Sequence, residues 1–244
     1  MQYRKLVERL KIPLPTLKID PHVHTRHSDS SSSVKDVLNA ARQRGLDGIA
    51  LTDHDNIGSW ISAPQLDSDL LIIPGIEVTT KDGHLLLLGI KEMPPEDLDA
   101  VAASDYTRKR GGIVIVPHPK IPFISIGESI IERIRPDAIE TYNAKVPFAY
   151  ITRKSIKLAE RLRIPQTGGS DAHSDKTVGD MYTVVEAEDR TVEAVLDAIK
   201  KGKIRPAGKT SSRLEKVKML FLLGVSRLMF WRRKKRRSLI LLEN

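Results

Sequence analysis

Short apolar runs alternate with amphipathic segments along the first 200 residues of the chain. The apolar runs are rich in Ile, Val and Leu, and they fall at residues 17–20, 48–51, 71–78, 84–89, 113–116, 138–143 and 182–185. Between them, apolar residues recur at helical spacing in residues 33–45, 94–112, 130–134, 151–162 and 191–200. This alternation predicts an α/β fold with parallel strands and crossover helices, and the unbroken apolar strands predict a sheet that is buried on both faces.

Two local signals refine these elements. Ser33 is a predicted N-cap for the first helix, and Gly45 is its predicted stop. The apolar runs 71–78 and 84–89 are separated by only a short polar turn, so we expect them to pair as a hairpin.

The chain length and the composition indicate one large domain with two appendages. A chain of 244 residues is long enough for a barrel of alternating strands and helices. We expect a lead-in segment at 1–16, the main domain at 17–206 and a tail at 207–244, with residues 201–213 as a linker. The first residues lead into an amphipathic stretch with Leu6, Val7 and Leu10, and we expect no secretory signal there.

Charge is distributed unevenly along the chain. The net charge is +9, but residues 201–244 alone carry +12 and residues 1–200 carry −3. Residues 214–231 have the spacing of an amphipathic helix, and residues 232–237 form an unbroken basic run. We expect a basic helical tail that binds nucleic-acid phosphates or an anionic membrane surface, or whose helix packs back on the barrel.

Six of the seven histidines lie in short phrases with acidic residues, and most of these phrases follow a predicted strand. His22 and His24 are two residues apart at a strand end, so their side chains point to the same face. Imidazoles and carboxylates that come from several strand ends to one point can hold more than one divalent cation. The chain has no Cys, so the ligands must be nitrogen and oxygen atoms, which suit zinc, manganese or iron. Asp20 is expected to orient one of the imidazoles.

The order of these phrases resembles that of the PHP (polymerase and histidinol phosphatase) domain family. The chain has Asp-Pro-His-Val-His-Thr with a following Ser-Asp, then Thr-Asp-His, Gly-Ile-Glu-Val, Gly-His-Leu-Leu-Leu-Leu-Gly, Pro-His-Pro and Gly-Ser-Asp-Ala-His. The resemblance covers about residues 17–206. It implies a distorted (β/α)7 barrel with a two- or three-metal site that hydrolyses phosphate esters.

The resemblance also implies which residues bind the metals. The residues at the family's nine ligand positions are His22, His24, Asp29, His54, Glu77, His84, His118, Asp171 and His173. Glu77 matches the carboxylate that bridges two metals, and Asp171 and His173 match a pair that serves two different metals. These three are the predicted catalytic residues. Histidine-rich ligands favour Zn, Mn or Fe over Mg.

Further polar residues near these phrases are candidates for substrate contacts. They are Arg26, His27, Lys120, Asn143, Lys145 and Lys176. Each basic residue among them could equally be a plain surface charge, and His27 could face solvent. Glu140, which lies on the same strand end as Asn143, could contact substrate or accept a hydrogen bond from a ligand.

The predicted reaction is hydrolysis of a phosphate ester by a hydroxide held between the metals, which attacks phosphorus in line with the leaving group. The expected substrate is a phosphorylated small molecule or a short nucleic acid. One alternative is a nuclease or phosphodiesterase that holds nucleic acid with its basic tail. A second is a non-catalytic, metal-stabilised binding module, and a third is hydrolysis of an amide. We expect a cytoplasmic protein, peripheral at the membrane if the tail binds lipid, and the sequence leaves its oligomeric state open.

Overall fold

The computed structural model describes residues 14–66, 69–122 and 124–211. Its strands are β1 (Thr16–Val23), β2 (Gly48–Leu51), β3 (Leu71–Thr80), β4 (Gly83–Leu88), β5 (Ile113–Val116), β6 (Ala138–Asn143), β7 (Gln166–Gly169), β8 (Met181–Glu186) and β9 (Ile204–Gly208). Its helices are α1 (Val34–Gln43), α2 (Gly58–Ser62), α3 (Ala100–Lys109), α4 (Glu128–Ile134), α5 (Ala149–Leu162) and α6 (Val192–Lys200). Short 3-10 turns occupy Ala63–Leu66 and Asp175–Thr177.

The strands form one mixed sheet in the order β7-β6-β5-β4-β3-β2-β1-β8-β9. Strands β1, β2 and β3 are parallel, as are β5, β6 and β7. Strand β4 is antiparallel to both of its neighbours, and it pairs with β3 as the predicted hairpin. Because β4 runs in the opposite direction, its first residues lie at the end of the sheet where the parallel strands finish.

The sheet closes towards a barrel through a contact between β7 and β8. The hydroxyl of Thr183 accepts a hydrogen bond from Gly168 N–H at 3.0 Å and donates one to Gly168 O at 2.9 Å. A Cβ atom at Gly168 would lie 2.8 Å from the carbonyl oxygen of Tyr182, so only glycine allows this close approach. The predicted α/β barrel fold is confirmed, although the described residues contain nine strands and not seven.

The run of four leucines in β4 shows how both faces of the sheet are buried. Leu86 and Leu88 point into an interior cluster with residues of the other strands and of α6, whereas Leu85 and Leu87 pack against the outer helices. All four side chains are fully buried. This arrangement confirms the prediction that the continuous apolar runs are strands covered on both sides.

Helix α1 begins as its sequence predicts. Ser33 Oγ accepts a hydrogen bond from the backbone N–H of Asp36, and the Asp36 side chain accepts from the backbone N–H of Ser33, which completes a capping box. The helix ends before Gly45, whose φ of 65° is the left-handed conformation that glycine adopts easily.

Two sequence predictions about element boundaries were wrong. Residues 201–213 are not simply a linker, because β9 lies within them and pairs antiparallel with β8. Helix α3 begins at Ala100 and not near Pro94, since the Asp99 side chain accepts from Ala102 N–H and caps the helix there. Both corrections concern short segments in which hydrophobic periodicity is weak.

The predicted amphipathic segment 214–231, the basic run 232–237 and nearly all of the lead-in segment 1–16 lie outside the described residues. The last described residue, Ser211, is held against the body of the protein. Its N–H donates to Ala144 O at 3.0 Å, and its hydroxyl donates to Asp180 Oδ2 at 2.9 Å. Within the part of the chain that is described, every helix is too short or too polar to cross a membrane.

Candidate metal centre

The ends of the parallel strands and the start of β4 bring the histidine phrases together at one end of the barrel. His22 lies near the end of β1 and His24 just after it, while His118 follows β5 and Asp171 follows β7. His84 reaches the same place because β4 starts there. This is the end at which barrels of parallel strands carry their active sites.

Glu77, in β3, lies at the middle of the cluster and is 1% exposed. Its Oε2 atom lies 3.0 Å from His22 Nε2, 3.1 Å from His24 Nε2 and 3.5 Å from His54 Nδ1. Its Oε1 atom lies 2.9 Å from His84 Nδ1 and 3.1 Å from His118 Nε2. These contacts come from five histidines, and the ring nitrogens also approach one another, since His22 Nε2 lies 3.0 Å from His24 Nε2. Imidazole nitrogens that converge in this way on one buried carboxylate are an arrangement that could hold shared cations.

A second group surrounds Asp29, at the more exposed side of the centre. Asp29 Oδ2 lies 3.1 Å from His173 Nε2 and 3.9 Å from His54 Nε2, and its Oδ1 lies 3.9 Å from His24 Nδ1. The rings of His24 and His173 are 4.2 Å apart between centroids. This group is therefore continuous with the one around Glu77 through His24 and His54.

Asp171 connects the two groups from the β7 side. Its Oδ1 atom lies 3.5 Å from His24 Nε2, 3.8 Å from His22 Nε2 and 3.4 Å from His173 Nδ1. Lys145 Nζ is 3.5 Å from the same oxygen and also contacts the His173 ring nitrogen directly. Lys145 is thus the cationic side chain that the structure places against the ligand cluster.

All nine predicted ligands fall into four overlapping groups of three or four, in each of which the ligand atoms lie within 4.8 Å of one another. The groups are His24, Asp29, His54 and His173; His22, His118 and Asp171; His22, His24 and Glu77; and His54, Glu77 and His84. Because several residues belong to two groups, the four groups are not four separate sites. Overlap of this kind is expected for a cluster of neighbouring cations that share ligands.

Two buried ring nitrogens support the interpretation of these residues as metal ligands. Among the described residues, His24 Nδ1 and His118 Nδ1 are buried without any hydrogen-bond partner. A buried polar atom without a partner costs about 1–3 kcal/mol. A cation coordinated by such a nitrogen would remove this cost, and the nitrogen and oxygen ligands suit Zn, Mn or Fe.

At Glu77, Asp171 and His24 the electrostatics favour the protonation states that metal binding needs, whereas at His22 and His84 the nearby carboxylates outweigh burial and raise the pKa. Burial alone would raise the pKa of Glu77, but His22 and the other imidazoles hold it well below its usual range. Burial would also raise the pKa of Asp171, but Lys145 and His22 lower it strongly. For His24, burial is the main cause that lowers its pKa to about 3. The two carboxylates are therefore charged and the His24 ring is neutral, as ligands must be.

Two of the nine residues have an unusual backbone conformation. His118 has φ of 32° and Asp171 has φ of 51°, both in the left-handed region that residues with a side chain avoid. Such conformations cost about 1–3 kcal/mol and persist where the surrounding structure enforces them, often at functional sites. Each of these two residues lies two positions after the end of a parallel strand.

Glu140, in β6, positions two ligands. Its Oε1 lies 3.0 Å from His22 Nδ1, and its Oε2 accepts from the backbone N–H of His118 at 2.9 Å. A side chain at Gly169 would collide with Glu140 and His22, so glycine makes room for this contact. The sequence pattern left the role of Glu140 open, and the structure shows that it orients His22.

Asn143 and Asp20 also form hydrogen bonds that support the centre. Asn143 Nδ2 donates to Glu140 Oε2 at 2.9 Å and to Asp171 Oδ2 at 3.1 Å, so both of its N–H groups are used within the protein. The prediction that Asp20 orients an imidazole was wrong. Its carboxylate accepts from the backbone N–H groups of His22, Ser170 and Gly179, because it is buried where β1 meets the segment after β7.

Asp53, which the sequence pattern favours as a loop group and not as a ligand, holds the loop with Asp29. Asp53 accepts from Thr25 N–H at 2.7 Å, from the Thr25 hydroxyl at 2.8 Å and from the Ser28 hydroxyl at 2.6 Å. The signal for this role in the sequence is the position of Asp53 beside His54 in the Thr-Asp-His phrase.

The remaining candidates for substrate contacts lie in different surroundings. Arg26 is exposed, and its Nε donates to Ser31 O. His27 is exposed and its ring lies beside Gly58, outside the four ligand groups. Lys176 is exposed, and Lys120 contacts Glu128 at the start of α4. Of the four predicted basic residues, Lys145 is therefore the one that the structure brings to the ligands.

Comparisons with known proteins agree with the geometry. An uncharacterised protein of Methanocaldococcus jannaschii is 27% identical over 142 residues, which are 52% of this chain and 82% of that protein. A phosphoribosyl 1,2-cyclic phosphate 1,2-diphosphodiesterase of Eggerthella lenta is 36% identical over 98 residues, which are 37% of each chain. This chain therefore spans little more than a third of the diesterase.

The fold has a counterpart among solved structures. A two-domain protein of Bacteroides vulgatus that contains a predicted PHP-like metal-dependent phosphoesterase superposes with a TM-score of 0.69 at 21% identity, over 80% of this chain and 66% of that one. Residues 20–117 match the profile of the PHP domain, and residues 152–204 match that of the PHP-associated family. The two matches together cover more than half of the chain, and with the ligand cluster they establish that the chain belongs to the PHP domain family.

Proposed function

We propose that this protein is a metal-dependent hydrolase of phosphate esters, with two or three divalent cations in the cluster around Glu77. The observation that carries the proposal is the crowding of five imidazoles on the two oxygens of one buried carboxylate. Asp171 and Asp29 add two further carboxylates to the same cluster. Several cations at short separation are the arrangement that hydrolytic enzymes use on phosphate esters.

The chain offers all the ligands that such cations need. His22, His24, His118, Glu77 and Asp171 would hold the buried part of the centre, and His54, His84, His173 and Asp29 the more exposed part. When bound, the cations would supply an activated water and positive charge for the phosphoryl oxygens. The histidine-rich ligand set favours Zn, Mn or Fe over Mg.

Lys145 would act on the substrate directly. Its ammonium contacts Asp171 and His173 at the edge of the cluster, so it can donate hydrogen bonds to phosphoryl oxygens bound there. Preorganised donors of this kind stabilise the charge that develops as the ester bond breaks. Asp171 and His173 are the groups of the centre nearest to Lys145, and we assign to them the transfer of a proton to or from the reacting oxygens.

A phosphodiesterase or nuclease is the second candidate. It is supported by the similarity to the Eggerthella lenta diphosphodiesterase, whose name specifies a cyclic phosphate diester as its substrate. The basic run at 232–237, which lies outside the described residues, could hold a polyanionic substrate in this case.

The test is hydrolysis of bis-p-nitrophenyl phosphate and of p-nitrophenyl phosphate by the protein loaded with Mn²⁺, compared with the same protein in EDTA. We expect turnover that EDTA abolishes and that the His22→Ala/His24→Ala variant loses. Turnover of the diester favours the phosphodiesterase, and turnover of the monoester alone favours a phosphatase of small molecules. Metal content is measured on every preparation, and His27→Ala is the matched histidine variant that should retain its metal.

Two results would count against the proposal. Tightly bound metal without turnover of either ester would favour the metal-stabilised binding module. Turnover of p-nitroacetanilide in place of the phosphate esters would favour hydrolysis of amides.

A further inference from the structure

Two aromatic side chains stand exposed where β6 leads into α5. Phe148 is 43% exposed and Tyr150 is 52% exposed. Their ring centroids are 5.6 Å apart, and their planes are inclined by 22°, so the rings are stacked on each other. A pair of rings held together in water presents an apolar, flat surface that a ligand can cover.

The aromatic pair is fixed to the body of the protein close to the metal centre. Lys145, which contacts Asp171 and His173, precedes Phe148 by three residues, and three residues of chain span at most about 11 Å. Val146 and Ile151, on either side of the pair, are buried in a small apolar cluster with Ile121. The rings are therefore exposed on a well-anchored segment.

Basic side chains continue from the aromatic pair along α5. Lys154 Nζ lies 5.6 Å from the centroid of the Tyr150 ring. The same lysine lines a cavity of about 390 Å³ whose charged residues are Lys120, Lys154, Lys157, Arg161 and Glu128. Lys120 and Arg161 both pair with Glu128, and Arg161 also pairs with Glu132 at 2.7 Å. Lys154 and Lys157 therefore leave this cavity with an excess of positive charge. Lys120 follows the ligand His118 by two residues, so the cavity adjoins the metal centre from another side.

We propose that this surface, the aromatic–basic rim (Phe148, Tyr150, Lys154, Lys157, Lys120 and Arg161), binds a single-stranded nucleic acid that carries the ester to be hydrolysed. A nucleobase stacks on the Phe148–Tyr150 pair, and the neighbouring phosphates contact the lysines along α5. Aromatic rings interleaved with cations in this way are how proteins bind single strands without reading their sequence. The inference rests on the proposed function only in assigning the scissile phosphate to the metal centre.

The stacked geometry favours a nucleic acid over an anionic membrane. Rings that insert into a membrane need not be stacked, whereas a base stacks on a flat aromatic face. The cavity along α5 is concave, and a flat bilayer cannot follow it as a flexible strand can.

The test is equilibrium binding of two fluorescein-labelled, phosphorothioate-linked five-nucleotide strands to the full chain with its metals, followed by fluorescence anisotropy. One strand carries thymine at each position, and the other has the same linkages without bases. We expect the strand with bases to bind about tenfold more tightly, which is the effect of stacking about one base. The Phe148→Ala/Tyr150→Ala variant should lose this preference, and Lys154→Ala/Lys157→Ala should weaken binding of both strands.

Met93→Ala is the matched control, because Met93 is also an exposed apolar side chain at 42% but lies after β4, at the other end of the barrel. Equal binding of the two strands by the unsubstituted protein would overturn the inference. It would also be overturned if the double aromatic variant still bound the strand with bases more tightly than the strand without them. A variant that no longer sediments with phosphatidylserine vesicles but binds both strands normally would assign the rings to a membrane instead.

The same preparations are assayed with bis-p-nitrophenyl phosphate, so that the two proposals fail separately. Metal-dependent turnover without any preference for bases would overturn the inference and leave the proposed function in place. A preference for bases that depends on Phe148 and Tyr150, without turnover of any ester, supports the inference and contradicts the proposed function.

Discussion

At the scale of single residues, the candidate metal centre contains side chains that hold the predicted ligands in place. Glu140 and Asn143 illustrate this, because their polar atoms are directed at His22, Asp171 and the backbone of His118. Partners that orient metal ligands commonly contribute 10–100-fold to metal affinity or activity. Two predictions follow at this scale, one for Glu140 and one for Lys145.

Glu140→Gln should lower the affinity for the cations by about 10–100-fold. The amide removes the negative charge that faces His22 Nδ1, so His22 loses its orientation and part of its basicity. The affinity is measured by competition with a chelating dye at fixed pH. Glu186→Gln, at the exposed end of β8, is the control and should bind metal as the unsubstituted protein does. Equal affinity in the two variants would show that Glu140 does not position His22.

Lys145→Met should lower kcat/KM for the best phosphate ester by about 100-fold while the bound metal is retained. The reason is that the lysine ammonium lies at the cluster of predicted ligands, where phosphoryl charge would develop in the proposed reaction, but is not itself a predicted ligand. Activity is compared with that of Lys91→Met, an exposed lysine just after β4 at the opposite end of the barrel. Loss of metal together with activity would assign Lys145 a structural role instead.

At the scale of elements, one hydroxyl contributes to the closure of the sheet. Thr183 pairs with both backbone groups of Gly168, and this contact joins β8 to β7. Thr167, the neighbouring buried threonine in β7, has a hydroxyl without a hydrogen-bond partner among the described residues. The two threonines therefore allow a matched comparison of Thr→Val substitutions.

Thr183→Val should lower the free energy of unfolding by about 1–3 kcal/mol, because Gly168 N–H and C=O would be left buried and unpaired. Thr167→Val makes the same change of shape. It should leave the free energy of unfolding unchanged or raise it, because it removes a hydroxyl that is buried without a hydrogen bond. The measurement is chemical denaturation of both variants with the same metal content. Equal effects of the two substitutions would mean that the Thr183 contacts do not hold the sheet closed.

The elements also show what sequence patterns can and cannot predict. The ligand phrases were predictable because each contains side chains with distinctive chemistry at a strand end, as in the pairs at His22 and His24 and at Asp171 and His173. Strand β9 was missed because Lys203, Arg205 and Pro206 obscure any alternation, and its pairing with β8 is a long-range contact. The role of Glu140 was also not predictable, since it depends on a partner 118 residues away in the sequence.

At the scale of the whole molecule, the metal centre joins elements from every part of the barrel. Its predicted ligands come from or follow β1, β2, β3, β4, β5 and β7, so cations bound there would connect strands that are far apart in the sequence. Removal of the cations would leave three carboxylates and several imidazoles crowded and partly unpaired. Binding to the folded state but not to the unfolded chain stabilises a protein by mass action.

We therefore expect the midpoint of thermal unfolding to fall by several degrees when the metals are removed with EDTA. For each site that had been occupied at a free metal concentration of 100 times its Kd, the free energy of unfolding falls by about 2.7 kcal/mol. Scanning calorimetry of the metal-loaded and metal-free protein measures the change. His22→Ala/His24→Ala should show little response to EDTA, whereas His27→Ala should respond fully. An unchanged midpoint after verified metal removal would contradict a structural contribution of the cations.

The hydrogen bond from Ser211 N–H to Ala144 O also fixes the position of the last described residue. Ala144 directly precedes Lys145, so the segment that follows Ser211 starts beside the metal centre. Residue 232, where the basic run starts, is 21 residues further along. A chain of 21 residues reaches at most about 75 Å, whatever its conformation. Any anion bound by the basic run would thus be confined within that distance of the centre, at an effective concentration of about 1 mM.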